Sequence, residues 1–406
     1  MVAVPASPRF NRALVLCGLV ALFDGYDAQV IAYVAPVLSA AWEIPRDRFG
    51  LVFAAGLLGM MAGGICFGPL ADRYGRKPAI CVATLLFGGF AILTALVRSM
   101  ETLALLRFLT GVGLGAAVPN LVALTAEHAP EHRRAFAISV MVCGFPLGAL
   151  VGGLVTADLI ERFGWPVVFL MGGVLPLLLL PVLFAALPES PAWLAGRRDA
   201  AEGRGPVRVL LSADLLPTTL LLWIAFFSSF LVMFFLYNWL PTVFVAAGES
   251  LDSAIRQTLA MNVGGIIGGL TIARLIDRWS ALRVLVPVYF GAAVCVAAIG
   301  WLEPGTAPMA GAVFAAGFGI VGGQIGCNAL TAGVYPTTAR ATGVGWAFGL
   351  GRLGSVVGPV IGGVLMAASI AMAALFGIAA AIAMFAAAAL AALVPVSRKR
   401  ALSGRA

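Results

Sequence analysis

The sequence predicts an all-α integral membrane protein, with twelve transmembrane helices in two pseudo-symmetric six-helix bundles. Three observations predict it. The mean hydropathy is +1.03, and 61% of the 406 residues are apolar against 11% charged, a composition foreign to soluble domains. Twelve apolar runs follow one another, each near the roughly 20 residues that a span requires. The second half also repeats the first. Asp72-Arg73 returns as Asp277-Arg278, an offset of 205. Gly111, Gly113, Pro130, Arg134, Gly148 and Gly152 return as Gly317, Gly319, Pro336, Arg340, Gly354 and Gly358, an offset of 206. A series in one register is the mark of parallel repeats around a central pathway.

The first run, 13–35, follows Arg9 and Arg12 as a secretory leader would. It extends past Asp24 and Asp27 to Ala35, too long for a leader's apolar region, and reads as a retained span. A charge at the bilayer centre costs about 3 kcal/mol on insertion scales, so such residues tend to face watery cavities and handle ions. Their spacing of three puts Asp24 and Asp27 on nearly one helix face. Two readings stand. Neighbouring carboxylates that share a proton make a coupling device; alternatively, they form a structural ion pair with a buried arginine.

Runs at 49–71, 78–97, 102–125, 135–157 and 166–187 complete the first bundle, residues 1–187. The loop after the second run carries Gly68, Asp72, Arg73, Gly75, Arg76 and Lys77. These charges suit a gate that pairs with Glu127, Arg134 or the start of the eleventh run; a basic loop that merely sets topology is the other reading. Arg107 lies within the fourth run, towards its outer end, where it can also anchor to the headgroups. Asn120, further along that run, is a polar candidate for substrate. His128 and His132 belong to a short basic loop and are expected to be solvated. Residues 188–216 are the longest polar stretch and read as a cytoplasmic central loop.

The second bundle, 217–406, contains runs at 217–240, 255–276, 283–302, 308–334, 341–366 and 370–395. The first of these is crowded with aromatic residues, of which Tyr237, Asn238 and Trp239 are the candidates for a substrate cavity. Gln324 and Asn328 are four apart on one face of the tenth span. Buried amides need partners, and a ring hydroxyl or another helix would each serve. Arg352 sits near the middle of the eleventh span. Its planar fork suits a substrate carboxylate, or an empty site's Asp24 or Asp27, or a fixed structural bridge. Glycines four apart, among them Gly144, Gly148, Gly152, Gly354, Gly358 and Gly362, allow close and sliding helix contacts.

Of the 26 Lys and Arg residues, nineteen fall on one side of the spans and five on the other, with Arg107 and Arg352 inside. The positive-inside rule then makes both termini and the central loop cytoplasmic. The six cysteines lie in apolar runs and read as packing residues. There is no metal-ligand cluster and no nucleophile–base constellation, so no enzyme, no catalytic residue, no metal and no cofactor is expected. The expected surroundings are the lipid bilayer, with no nucleic acid, and the chain is expected to work as a monomer.

Gly68-Pro69-Leu70-Ala71-Asp72-Arg73-Tyr74-Gly75-Arg76-Lys77 closely resembles the loop signature of the major facilitator superfamily, and Arg107-Phe108-Leu109-Thr110-Gly111 resembles its fourth-span signature. The resemblance covers essentially the whole chain. Asp24-Gly25-Tyr26-Asp27 looks like the first-span motif of the aromatic acid:proton symporters, and Asn238-Trp239-Leu240-Pro241-Thr242, Gly323–Leu330 and Gly345–Ser355 are similar. Pro188-Glu189-Ser190-Pro191-Ala192-Trp193-Leu194 also looks like the sugar-porter branch. The resemblance implies import of benzoate-like or hydroxylated aromatic acids with protons across a bacterial inner membrane by alternating access. It implies a role in proton handling for Arg107 and favours the gate for the loop cluster. The alternatives are a symporter of a sugar or non-aromatic acid, a drug-efflux pump, and a membrane sensor.

Overall fold

The computed structural model describes residues 8–130, 134–194, 210–212, 215–335 and 340–403. Among them are twelve helices long and apolar enough to cross a membrane, and no strand. In lipid every backbone group must be satisfied within its own segment, which a helix achieves. Where the chain leaves the apolar runs, small polar residues open the next helix. Ser99, Ser250 and Thr306 each accept a backbone N–H of the turn they precede.

The chain divides into two compact units. One comprises residues 1–44 with 51–200, the other 45–50 with 201–406. The first unit holds α1 (Pro8–Ala41), α2 (Phe49–Tyr74), α3 (Arg76–Thr94), α4 (Met100–His128), α5 (Arg134–Val142), α6 (Gly144–Phe163), α7 (Pro166–Ala186) and the single turn α8 (Pro191–Leu194). The second holds α9 (Leu216–Ala246), α10 (Leu251–Arg278), α11 (Ala281–Ile299), α12 (Ala307–Val334), α13 (Arg340–Ala367) and α14 (Met372–Ser403). The short 3-10 turn Arg46–Arg48, ahead of α2, packs on α13.

Within each unit the same pairs of helices meet. In the first, α1 packs on α6, and α3 on α4 and α7; in the second, α9 packs on α13, and α11 on α12 and α14. The repeated glycines explain the match. A Cβ on Gly111 would lie 2.1 Å from the Gly56 carbonyl oxygen, and one on Gly317 would lie 2.1 Å from that of Met261. Gly59 and Gly264 stand equally close to the carbonyls of Phe108 and Phe314, each at 2.0 Å. Gly148 and Gly354 meet the carbonyls of Leu22 and Phe227 at 1.7 and 2.2 Å. The register is therefore 205 for α1 and α2 and 206 for α4 and for α5 with α6, and each glycine is a backbone contact no larger residue permits.

The fifth span departs from the expected 135–157. It is broken at Cys143 into α5 and α6 and runs on to Phe163. Pro146 has no N–H to offer Val142, so one bond of the ladder is missing, while Cys143 keeps helical angles of φ −61° and ψ −16° and the span continues into α6. The repeat places Arg352 at the Pro146 position, and the corresponding α13 runs unbroken from Arg340 to Ala367.

Candidate functional site

The four residues Asp24-Gly25-Tyr26-Asp27 each meet a different neighbour or sit in a different surrounding. A Cβ on Gly25 would lie 1.8 Å from the Phe145 carbonyl oxygen, so α1 and α6 touch backbone to backbone here. Tyr26 donates its phenol to the Val168 carbonyl at 2.9 Å, tying α1 to α7. Its ring fills the space left by Gly152 and Gly172. Asp24 and Asp27 are both 1% exposed. Asp27 Oδ2 accepts Arg107 Nη1 at 3.0 Å in an ion pair out of water.

Arg107 is itself buried, so it does not reach for the headgroups. It stays inside because its guanidinium is met on several sides. Nη2 donates to Thr94 Oγ1 and to Thr110 Oγ1, both at 3.1 Å. The Phe169 ring lies 5.0 Å from the guanidinium carbon, a cation–π contact. Phe169 is seated edge-on by Trp165, and Trp165 by Trp42. Asp27 Oδ1 and Arg107 Nε have no hydrogen-bond partner among the described residues. One carboxylate oxygen is thus bonded and the other is left able to take a proton. Sequence reading named Asp27 and Arg107 and quoted Thr110 only within the fourth-span signature; it missed Thr94 and Phe169, which carry no signal until α3 and α7 are brought to α4.

The repeat offers a control inside the same chain. Gly113 and Gly319 meet the carbonyls of Ala83 and Val288, which sets 205 for α3 as well, so Asp27 and Arg107 correspond to Val232 and Val313, and Thr94 and Thr110 to Ile299 and Ala316. All four of these apolar residues are buried. The same location is therefore charged in one unit and apolar in the other.

In the second unit, Gly351 packs on the Phe230 ring and Gly323 on the Tyr289 ring. Since Tyr289 is bonded to Ser229, the neighbour of Phe230, these contacts bring the stretches bearing Arg352 and Gln324 to one depth along α9. Tyr289 shares a hydrogen with Ser229 at 2.8 Å and receives Cys327 Sγ–H at 3.5 Å. Gln324 Nε2 donates to Asn328 Oδ1 at 3.3 Å, and Gln324 Oε1 is buried with no partner among the described residues. Arg352 is half-buried on α13. Asn238 and Asn120 bond back to their own helices, at Phe234 and Ala116. Tyr237 is buried and meets Phe234 edge-on. Trp239 is fully buried, donates its indole N–H to Pro359 at 3.0 Å, and lies against Gly362. That geometry makes Trp239 a clamp between α9 and α13.

At the far end of the first unit, Arg76 Nη2 pairs with Glu127 Oε1 at 2.9 Å. Glu189, which sequence reading left out of this cluster, accepts the backbone N–H groups of Arg76 and Lys77 at 2.9 and 3.1 Å. A carboxylate at a helix N-terminus is where the dipole favours it. Ser190 donates to Glu127. Gly75 has a φ of +101°, which L side chains rarely adopt, and lies against the Glu189 carboxylate. Arg73 is exposed beside its neighbour Tyr74. Gly68 and Asp72 lie in the last turns of α2, and Arg134 opens α5; their side chains, like His132, lie outside the described residues.

Comparison with known proteins agrees with this architecture. Residues 17–332 match the Major Facilitator Superfamily model. The chain is 37% identical to the gallate transporter of Pseudomonas putida, over 89% of this chain and 87% of the relative. It is 36% identical to the 4-hydroxybenzoate transporter PcaK of Pseudomonas aeruginosa, over 90% and 88%. It is 38% identical to the 3-(3-hydroxy-phenyl)propionate transporter of Escherichia coli, over 89% and 88%. Among solved structures, the inward-open xylose transporter XylE from E. coli superposes with a TM-score of 0.76 at 20% identity, covering 95% of this chain and 96% of that one. With the family model across most of its length and aromatic-acid transporters among its relatives, the chain belongs to the major facilitator superfamily and is a multi-pass membrane transporter, not an enzyme.

Proposed function

We propose that this protein imports an aromatic carboxylate of the benzoate or hydroxybenzoate class together with protons across the bacterial inner membrane, by alternating access. The observation that carries the coupling is the buried Asp27–Arg107 pair, with one carboxylate oxygen bonded to the arginine and the other unpartnered. An ionisable pair held inside a membrane protein marks a proton or ion pathway. The substrate class rests on the relatives named above. Asp24, Asp27 and Arg107 handle the proton. Arg352 takes the substrate carboxylate, Gln324 and Asn328 meet polar ring substituents, and Tyr237, Asn238 and Asn120 are further substrate candidates. The Arg76–Glu127–Glu189 network, with Asp72, Arg73, Lys77 and Arg134, forms a cytoplasmic gate. Residues 1–187 and 217–406 are the two rocking halves, joined by a cytoplasmic 188–216 segment, in a monomer.

The test is uptake of labelled 4-hydroxybenzoate into proteoliposomes under an imposed inward proton gradient, with a labelled hexose alongside. The aromatic acid is expected to accumulate and to leak out when a protonophore is added. Accumulation of the hexose in place of the acid would overturn the substrate class, and accumulation untouched by the protonophore would overturn the coupling.

A further inference from the structure

We infer that Thr94 and Thr110 are positioning residues that hold Arg107 in place whether or not Asp27 is bonded to it, so that proton loading frees Asp27 and α1 while the arginine stays. The inference rests on the coupling reading above.

Both hydroxyl protons stay on their own helices. Thr94 Oγ1 donates to the Phe90 carbonyl at 2.8 Å, and Thr110 Oγ1 donates to the Leu106 carbonyl at 2.8 Å. A hydroxyl has one proton, so each is already committed to its own helix. What remains on both oxygens is acceptor capacity, and both meet the same nitrogen, Arg107 Nη2, at 3.1 Å. Two fixed acceptors on one NH2 group match a guanidinium, which stays charged throughout. With the Phe169 ring, Arg107 has three contacts indifferent to the charge of Asp27 and one that depends on it.

Removing one partner of a buried ion pair is costly because it strands the other charge. Thr94 and Thr110 reduce that cost on the arginine side. They therefore favour the proton-loaded state of Asp27. The repeat supports a purpose beyond packing. Ile299 and Ala316 fill the corresponding positions in the second unit, where Val313 replaces the arginine. Where the cation is absent, both acceptors are absent.

Among the described residues, the ionisable groups around Asp27 are Arg107 on α4 and, on α1 itself, Asp24 and Tyr26. Phe145, Gly148 and Gly152 of α6 and Val168 and Gly172 of α7, which meet this stretch of α1, carry no titratable side chain.

The experiment measures the pH dependence of 4-hydroxybenzoate uptake in proteoliposomes, for the unaltered protein, for Thr94→Val with Thr110→Val, and for Thr94→Ser with Thr110→Ser. In the valine pair Nη2 turns to Asp27, and half-maximal uptake is expected about one unit lower in pH, tenfold in proton concentration. The serine pair restores both acceptors and is expected at the original pH. Counterflow exchange, which moves no net proton, is expected near the unaltered rate in both at a pH low enough to load Asp27 in every variant, which reports that each variant is folded. The single Thr94→Val variant removes one acceptor and reads a smaller shift in the same direction should the valine pair not fold. A valine profile that does not move, or a serine profile that moves with it, overturns the inference while leaving coupling intact. Uptake indifferent to the proton gradient in the unaltered protein overturns the coupling reading first, and this inference with it.

Discussion

Asp27 and Arg107 show how a charge is kept inside a membrane protein. Neither is stable there alone, and replacing a buried ion pair by apolar residues of similar size is often neutral or stabilising. The repeat supplies those residues, Val232 and Val313. Arg107→Val alone is therefore expected to lose roughly 3–5 kcal/mol by leaving a buried carboxylate unpaired. The double variant Asp27→Val with Arg107→Val is expected to melt at or above the parent temperature in detergent. Proton-driven accumulation is expected to vanish in both. A double variant as unstable as the single one would show that the pair serves the fold. At this scale the sequence was legible only in part. Asp27 and Arg107 stand out because charge in an apolar run is conspicuous. Thr94, Thr110 and Glu189 do not, since a threonine in a helix or a glutamate in a loop is ordinary until its neighbour is known.

Helices in lipid gain little from hydrophobic burial against one another, so close packing and small residues set their spacing. Gly148 is the sharpest case, because its Cβ would fall 1.7 Å from the Leu22 carbonyl of α1. Backbone cannot yield as a side chain can, and overpacking costs about 1–3 kcal/mol or more. Gly148→Ala is expected to lower the melting temperature and to slow transport. Gly89 is the control, with nothing within 4 Å. There alanine should be neutral or add up to about 1 kcal/mol, as expected for replacing glycine within a helix. Equal melting shifts for the two would contradict the close α1–α6 contact. The repeat at offsets of 205 and 206 was visible in the sequence because these glycines are fixed in register by backbone contacts. The break at Cys143 was not foreseen, although Pro146 announces it.

For the whole molecule, the distribution of Lys and Arg predicts the orientation in the membrane. Tags at the two ends are both expected to be cleaved by protease from the cytoplasmic face and protected from the periplasmic face. Cleavage of both tags from the periplasmic side alone would reverse the assignment of every loop, including the Arg76–Glu127–Glu189 network. That network joins the ends of α3 and α4 to the chain just beyond α7, so its side of the membrane decides whether it can serve as a cytoplasmic gate.

The sequence by itself determined the class of molecule, the number and order of its spans, the internal repeat and the two carboxylates of the first span. These follow from hydropathy, spacing and charge, which are properties of the chain read one residue after another. Only the tertiary structure decided that Asp27 is bonded to Arg107, that two threonines on α3 and α4 share the same guanidinium nitrogen, that Trp239 clamps two helices, and that Glu189 caps α3. Each of these joins residues from separate helices or segments, most of them far apart in sequence. Hydrogen bonds and ion pairs act over about 3 Å, a distance that appears only after the helices have packed.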